Sequence, residues 1–104
     1  MLDTRSAGGA FQGELTVNVS GSVCAPPGTA RAYVFNATVV PSGVMGYLTL
    51  WPDQSDQPVV STLNAYDGMI TSNMAIVPSA NGSIDAYASG LTQLILDISG
   101  YFAP

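Results

Sequence analysis

Turn-forming residues interrupt this chain so often that only short elements fit between them. Gly8-Gly9, Gly13, Gly21, Pro26-Pro27-Gly28, Pro41-Ser42-Gly43, Pro52-Asp53, Gly68, Pro78, Asn81-Gly82 and Gly90 divide it. The runs between them are rich in Val, Ile, Leu, Thr and Tyr, and none sustains a 3.6-residue period. That spacing predicts an all-β fold, an antiparallel β-sandwich of jelly-roll-like form, with about seven to eight short strands and little helix. The best place for a short helical turn is "VCAPPGTA", where the prolines forbid a strand interior.

The runs also predict faces. In "GELTVNVS" the alternation turns Leu15, Val17 and Val19 inward. "ARAYVFNATVV" is apolar on both faces. "MGYLTLWP" places Tyr47, Thr49 and Trp51 on one face and Leu48 and Leu50 on the other. "PVVSTLN" reads as short and near an edge, and "MITSNMAIVP" begins polar and ends buried. "GSIDAYAS" and "TQLILDISGYF" read as two further strands. Asn-Gly favours a tight hairpin because both positions accept positive φ, so residues 70–78 are expected to pair with 83–89. With several strands apolar on both faces, Tyr33, Phe35, Tyr47 and Trp51 are expected to form a second apolar surface. It would serve as an oligomer interface, a contact with a neighbouring domain or an aromatic sugar platform.

At 104 residues the chain is long enough for one core, so residues 1–104 are read as a single domain. Charged residues make up only 9%, against about a quarter in ordinary soluble domains. The net charge is -5, with two arginines and no lysine or histidine. Polyanion binding needs clustered cations, so nucleic acid is excluded as a partner and anionic membranes are disfavoured. No apolar run is long enough for a spanning helix, and no membrane insertion is expected. The first residues show no basic-then-apolar leader. The expectation is a domain excised from a larger secreted or cell-surface protein.

Most catalytic chemistry lacks its residues. Without histidine there is no Ser-His-Asp triad, Cys-His pair or imidazole metal site. There is no phosphate loop, and no cofactor is expected. The single cysteine, Cys24, cannot form an internal disulfide; it is a small buried hydrophobe, one half of an intermolecular disulfide or a reactive thiol. The acids Asp3, Glu14, Asp53, Asp56, Asp67, Asp85 and Asp97 are scattered and read as turn and surface residues, so no enzyme is expected. Calcium could find oxygens at Asp53, Gln54, Asp56 and Gln57, but a solvated loop with Asp53 in an Asx turn explains "WPDQSDQP" without metal. Three N-x-S/T sequons, at Asn18, Asn36 and Asn81, are read as coincidences of an Asn-, Ser- and Thr-rich chain.

Taken in order, "LDTRS", "YVFNATVVP", "GYLTLWP", "STLNAYDG", "NMAIVP" and "LILDISGYFAP" form a pattern that covers essentially the whole chain. The pattern resembles a β-rich domain of secreted and surface proteins of acidobacteria and actinobacteria, often placed near a C-terminus beside hydrolase or adhesion modules. The family has no assigned catalytic residues, so the resemblance carries none over. Two departures stand out. Ser99 precedes Gly100 where relatives often have Asn-Gly, and Gln93 takes the place of a frequent histidine before "LILD".

Asp97 lies among Leu94, Ile95, Leu96 and Ile98, without a neighbouring cation in sequence. The expectation is a structural ion pair in which Arg5 clamps Asp97, or pairs with Asp3, and ties the first segment to the last strand. The alternative is that Asp97 points outward from a strand with one wet face. The function expected is a noncatalytic structural, assembly or adhesion module of a secreted or cell-surface bacterial protein. It would act as a homo-oligomer or against neighbouring domains of its parent. The alternative is a carbohydrate-binding module with a glycan platform made by Trp51, Tyr47, Asp53 and Gln54.

Overall fold

A computed structural model describes residues 2–5, 9–21, 30–54, 56, 62–65, 67–79 and 81–102. Among these residues seven strands form: β1 (Leu2–Asp3), β2 (Phe11–Asn18), β3 (Ala32–Pro41), β4 (Gly46–Pro52), β5 (Leu63–Ala65), β6 (Thr71–Pro78) and β7 (Ser83–Phe102). No helix occurs among the described residues. The all-β, antiparallel, sandwich-like class expected from the turn spacing is the class the chain adopts. Cys24 and the rest of "VCAPPGTA" before Ala30 lie outside the described residues, as do Ser55, Gln57 and residues 58–61.

The organising element is β7, which runs for 20 residues. Its first half pairs with β2 along one edge and β4 along the other. Its second half pairs with β3 along one edge and, at Leu96 and Ile95, with β1 along the other. β5 extends the sheet beyond β4, and β6 extends it beyond β3. The side-chain amide of Asn73 on β6 then donates to the Thr62 carbonyl, just ahead of β5, at 2.9 Å. That bond draws the two ends of the sheet together, and the sheet is nearly barrel-shaped.

Two expectations about the chain's course are corrected. Residues 70–78 do not fold back on 83–89: β6 pairs with β3 over its whole length, from Ala32↔Pro78 to Val39↔Thr71. The Asn81-Gly82 segment instead carries the chain from one side of the barrel to the other. The Ser79 N–H donates to the Arg31 carbonyl and keeps the end of β6 beside β3. The Ser79 hydroxyl donates to the Ser83 carbonyl, and Asn81 Oδ1 accepts the Ser83 N–H. These local bonds use the groups that a two-residue hairpin would pair across strands.

Gly90 also does not end a strand. β7 passes through it because β4 begins against its α-carbon: a Cβ there would lie 2.8 Å from the Met45 carbonyl oxygen. The Ser89 hydroxyl seals this approach, accepting the Tyr47 N–H at 3.0 Å and donating to the Met45 carbonyl at 2.5 Å.

The core follows the period-two alternation. Tyr33, Phe35, Leu48, Ile84, Leu94 and Leu96 are among its fully buried side chains. Each such large apolar group contributes roughly 1.5–3 kcal/mol relative to exposure. Val17 and Val19 are buried, and Leu15 packs against the core, as the alternation of β2 predicts. Tyr33 and Phe35 therefore do not belong to a second apolar surface; their rings meet inside, with centroids 5.9 Å apart.

The first segment is tied to the last strand, but not by Arg5 and Asp97. Thr4 makes the tie: its N–H donates to the Leu94 carbonyl, and its buried hydroxyl accepts the Leu94 N–H at 2.8 Å and donates to Gln93 Oε1 at 2.6 Å. Arg5 turns back on Asp3, with Nε at 3.0 Å and a terminal nitrogen at 2.8 Å from its two carboxylate oxygens. Asp97 is exposed opposite Asn36 because the alternation that buries Leu94 and Leu96 turns it outward. It is the competing reading of Asp97 that the fold realises.

Candidate functional site

Two regions of the surface carry more than bare scaffolding. The first lies where β2, the first half of β7 and β4 run side by side. On β7, Ile84, Ala86 and Ala88 face the core, so Asp85 and Tyr87 face the other way. Register places Thr16, Asp85 and Trp51 in one row and Glu14, Tyr87 and Thr49 in the next. Glu14 and Thr16 are exposed at its rim, but its middle is closed. Trp51 is 4% exposed and Asp85 5%.

Asp85 is the unusual member. The Thr16 hydroxyl donates to its Oδ1 at 2.9 Å. Asp53 follows Trp51 by two residues and so shares its face. It is diagonal to Asp85 across the β4–β7 pair, within hydrogen-bonding reach of it. The Asn81 amide donates to Asp53 Oδ2 at 3.0 Å. Burial, and then the Asp53 carboxyl, push Asp85 above the ordinary carboxylate range. The Asn81 amide, and then Asp85 itself, hold Asp53 below that range. Asp85 is shielded by its immediate neighbours rather than sunk in the deep core. Two carboxyls within hydrogen-bonding reach of each other leave no room for a sugar between them. Glycosidases instead keep their carboxyls apart, about 5 Å or more, with a sugar between.

The glycan platform expected around Trp51 is not formed, because a ring that is 4% exposed presents no face to a sugar. Tyr47 is half-buried and stacks on Tyr87, with centroids 5.9 Å apart. Asp53 is engaged by Asn81 and Asp85, and Gln54 is exposed with a φ of 68° in the turn that follows. Of the four platform residues, only Trp51 and Asp53 come together with Asp85. Among the described residues no three acids or sulfur ligands gather as a metal group. Asp85, Thr16 and Asn81 were missed in sequence because their proximity depends on β7 lying between β2 and β4. A faint signal was present: Asp85 stands between Ile84 and Ala86, in a run otherwise suited to burial.

The second region is the outer face of β6, β3 and the end of β7. Its rows are Pro78–Ala32–Phe102, Ile76–Val34–Gly100 and Met74–Asn36–Asp97. A β-bulge makes this face. Between Val34 and Phe35 on β3, β7 advances from Gly100 to Ile98, leaving Ser99 as the extra residue. Its hydroxyl donates to the Val34 carbonyl at 3.3 Å. The added residue flips the alternation and turns Phe102 outward. Met74 is 65% exposed, Ile76 55% and Phe102 53%.

In comparison with known proteins, the chain matches no family model, no curated protein and no solved structure.

Proposed function

We propose that this domain is a noncatalytic structural and assembly module of a secreted or cell-surface bacterial protein. It works by docking the outer face of β6, β3 and the end of β7 on a second copy of itself or on a neighbouring domain of its parent. The observation that carries this reading is the apolar strip of Pro78, Ile76, Met74, Val34 and Phe102. Isolated exposed apolar side chains are ordinary, whereas a contiguous strip across three strands marks an interaction surface.

Charge supports the reading. The chain carries -5 with only two arginines, so most faces of two copies repel. Residues 69–78 hold no charged side chain, and Asp97 at the end of the third row is the one carboxylate in these rows, so copies approach here against little repulsion. The edge itself is guarded: Asn73 Oδ1 accepts the Met74 N–H, and Pro78 has none to offer. Docking therefore uses the side-chain face rather than strand addition at the edge.

The test is Met74→Glu together with Ile76→Glu. Both residues are exposed, so the fold survives and the assembly dissociates, as measured by light scattering after size exclusion. An assembly of unchanged mass in the double variant refutes this face as the docking surface.

A further inference from the structure

Independently of the docking surface, we propose that Asp53 and Asp85 share one proton and form an acid-set clasp between the end of β4 and the first half of β7. Register, burial and the scarcity of cations support it. Asp85 is shielded in the middle of a three-strand row, and its nearest acid is diagonal to it across the β4–β7 pair. No cation offsets the two. The sequence has two arginines and neither lysine nor histidine; Arg5 is committed to Asp3, and neither arginine is among the groups that act on Asp53 or Asp85. The groups facing Asp85 from its packed neighbours add no positive charge: Glu14 and Thr16 from β2, Trp51 and Asp53 from β4, and Tyr87 from its own strand. Two bonded carboxyls without a cation must hold a proton or repel.

The bonding scheme uses the available groups. Protonated Asp85 donates to Asp53 and accepts the Thr16 hydroxyl at 2.9 Å. Ionised Asp53 accepts that proton and the Asn81 amide at 3.0 Å. The clasp thereby joins β2, β4, β7 and the Asn81-Gly82 turn.

The direction with pH follows from the two shifts. Asp85 titrates above its unfolded value of 3.8, so its share of stability is complete below that value and is lost as pH rises through its raised folded value. Asp53 titrates below 3.8, so its share is present above that value and is lost as pH falls through its lowered folded value. The pair therefore holds best in mildly acidic solution and loosens toward neutral and alkaline pH.

The experiment is thermal unfolding of the wild type, Asp85→Asn and Asp97→Asn at fixed ionic strength. The amide of Asp85→Asn donates to Asp53 at every pH, whereas Asp97→Asn removes one exposed acid and leaves the clasp. From about pH 4 to about pH 8, the wild type and Asp97→Asn lose about 5 °C or more of Tm relative to Asp85→Asn. Parallel pH profiles for the wild type and Asp85→Asn overturn the clasp. If Asp85→Asn does not fold, carbon-detected NMR titration of the wild-type carboxyls decides. A transition for Asp85 at higher pH than for Asp53 supports the shared proton, and coincident transitions overturn it.

Discussion

Replacing Gly90 by alanine tests whether β7 is one continuous spine braced by the start of β4. Gly90 has an ordinary φ, so backbone strain does not enter. What matters is contact: the new Cβ would lie 2.8 Å from both the Met45 α-carbon and its carbonyl oxygen. Both are backbone atoms and cannot rotate away. Either the chain at Met45 shifts, or β7 bends outward. A shift breaks the two Ser89 hydroxyl bonds, to the Tyr47 N–H at 3.0 Å and the Met45 carbonyl at 2.5 Å. Overpacking of this kind costs about 1–3 kcal/mol, and each lost bond costs about 0.5–1.5 kcal/mol more. A loss of about 3 kcal/mol is then the central expectation, which lowers Tm by about 12 °C or more in a domain of this size. The assay is thermal unfolding followed by circular dichroism, with urea unfolding as a check on ΔG. Gly100→Ala is the control: it lies on the same strand, but nothing stands within 4 Å of its Cβ position. Its Tm stays close to that of the wild type. Equal Tm values for Gly90→Ala, Gly100→Ala and the wild type would refute the close approach and the spine built on it.

Other substitutions separate the interactions that hold the fold from those that only decorate it. Thr4→Val removes both hydroxyl bonds that tie the first segment to β7 while keeping the shape, and loses about 1–3 kcal/mol in urea unfolding. Asp97→Ala stays within about 0.5 kcal/mol of the wild type by the same measurement, because the carboxylate is exposed opposite Asn36. Tyr33→Phe leaves Tm unchanged or raises it. The Tyr33 hydroxyl is buried without a well-formed hydrogen bond; burial raises its pKa, and the nearby Ser79 hydroxyl only tempers the rise.

What could be read from sequence was local, and what escaped was pairing. Leu15, Val17 and Val19 declare their face through alternation, and Leu48 and Leu50 do the same on β4. Position within a strand is set by sterics a few residues wide. The partners of a strand depend on residues far away in the chain. Asn81-Gly82 is compatible with a hairpin, yet the bonds from Ser79 and Asn81 send the chain across the barrel instead. Gly90 looks like punctuation in sequence, and only the approach of Met45 explains it. Ser99 stands out in sequence as a departure, but its effect is a bulge that turns Phe102 outward, visible only in register with Val34 and Phe35. Trp51 shows the limit for sites. Its alternation correctly places it opposite Leu48 and Leu50, but alternation does not say whether the ring on the second face is open, and here it is buried. Arg5 and Asp97 attracted each other on paper because charges are so scarce. In the fold Arg5 takes the other partner the sequence offers, Asp3, two residues away and at little cost in chain entropy.

The most direct test of the assembly role is the molar mass in solution, by light scattering after size exclusion across the micromolar range. The account predicts a species of at least twice the 10.7 kDa chain that reverts to one chain when Met74 and Ile76 are both made glutamate. A mass of 10.7 kDa for the wild type at every concentration would contradict assembly between copies and leave the strip to a neighbouring domain of the parent alone.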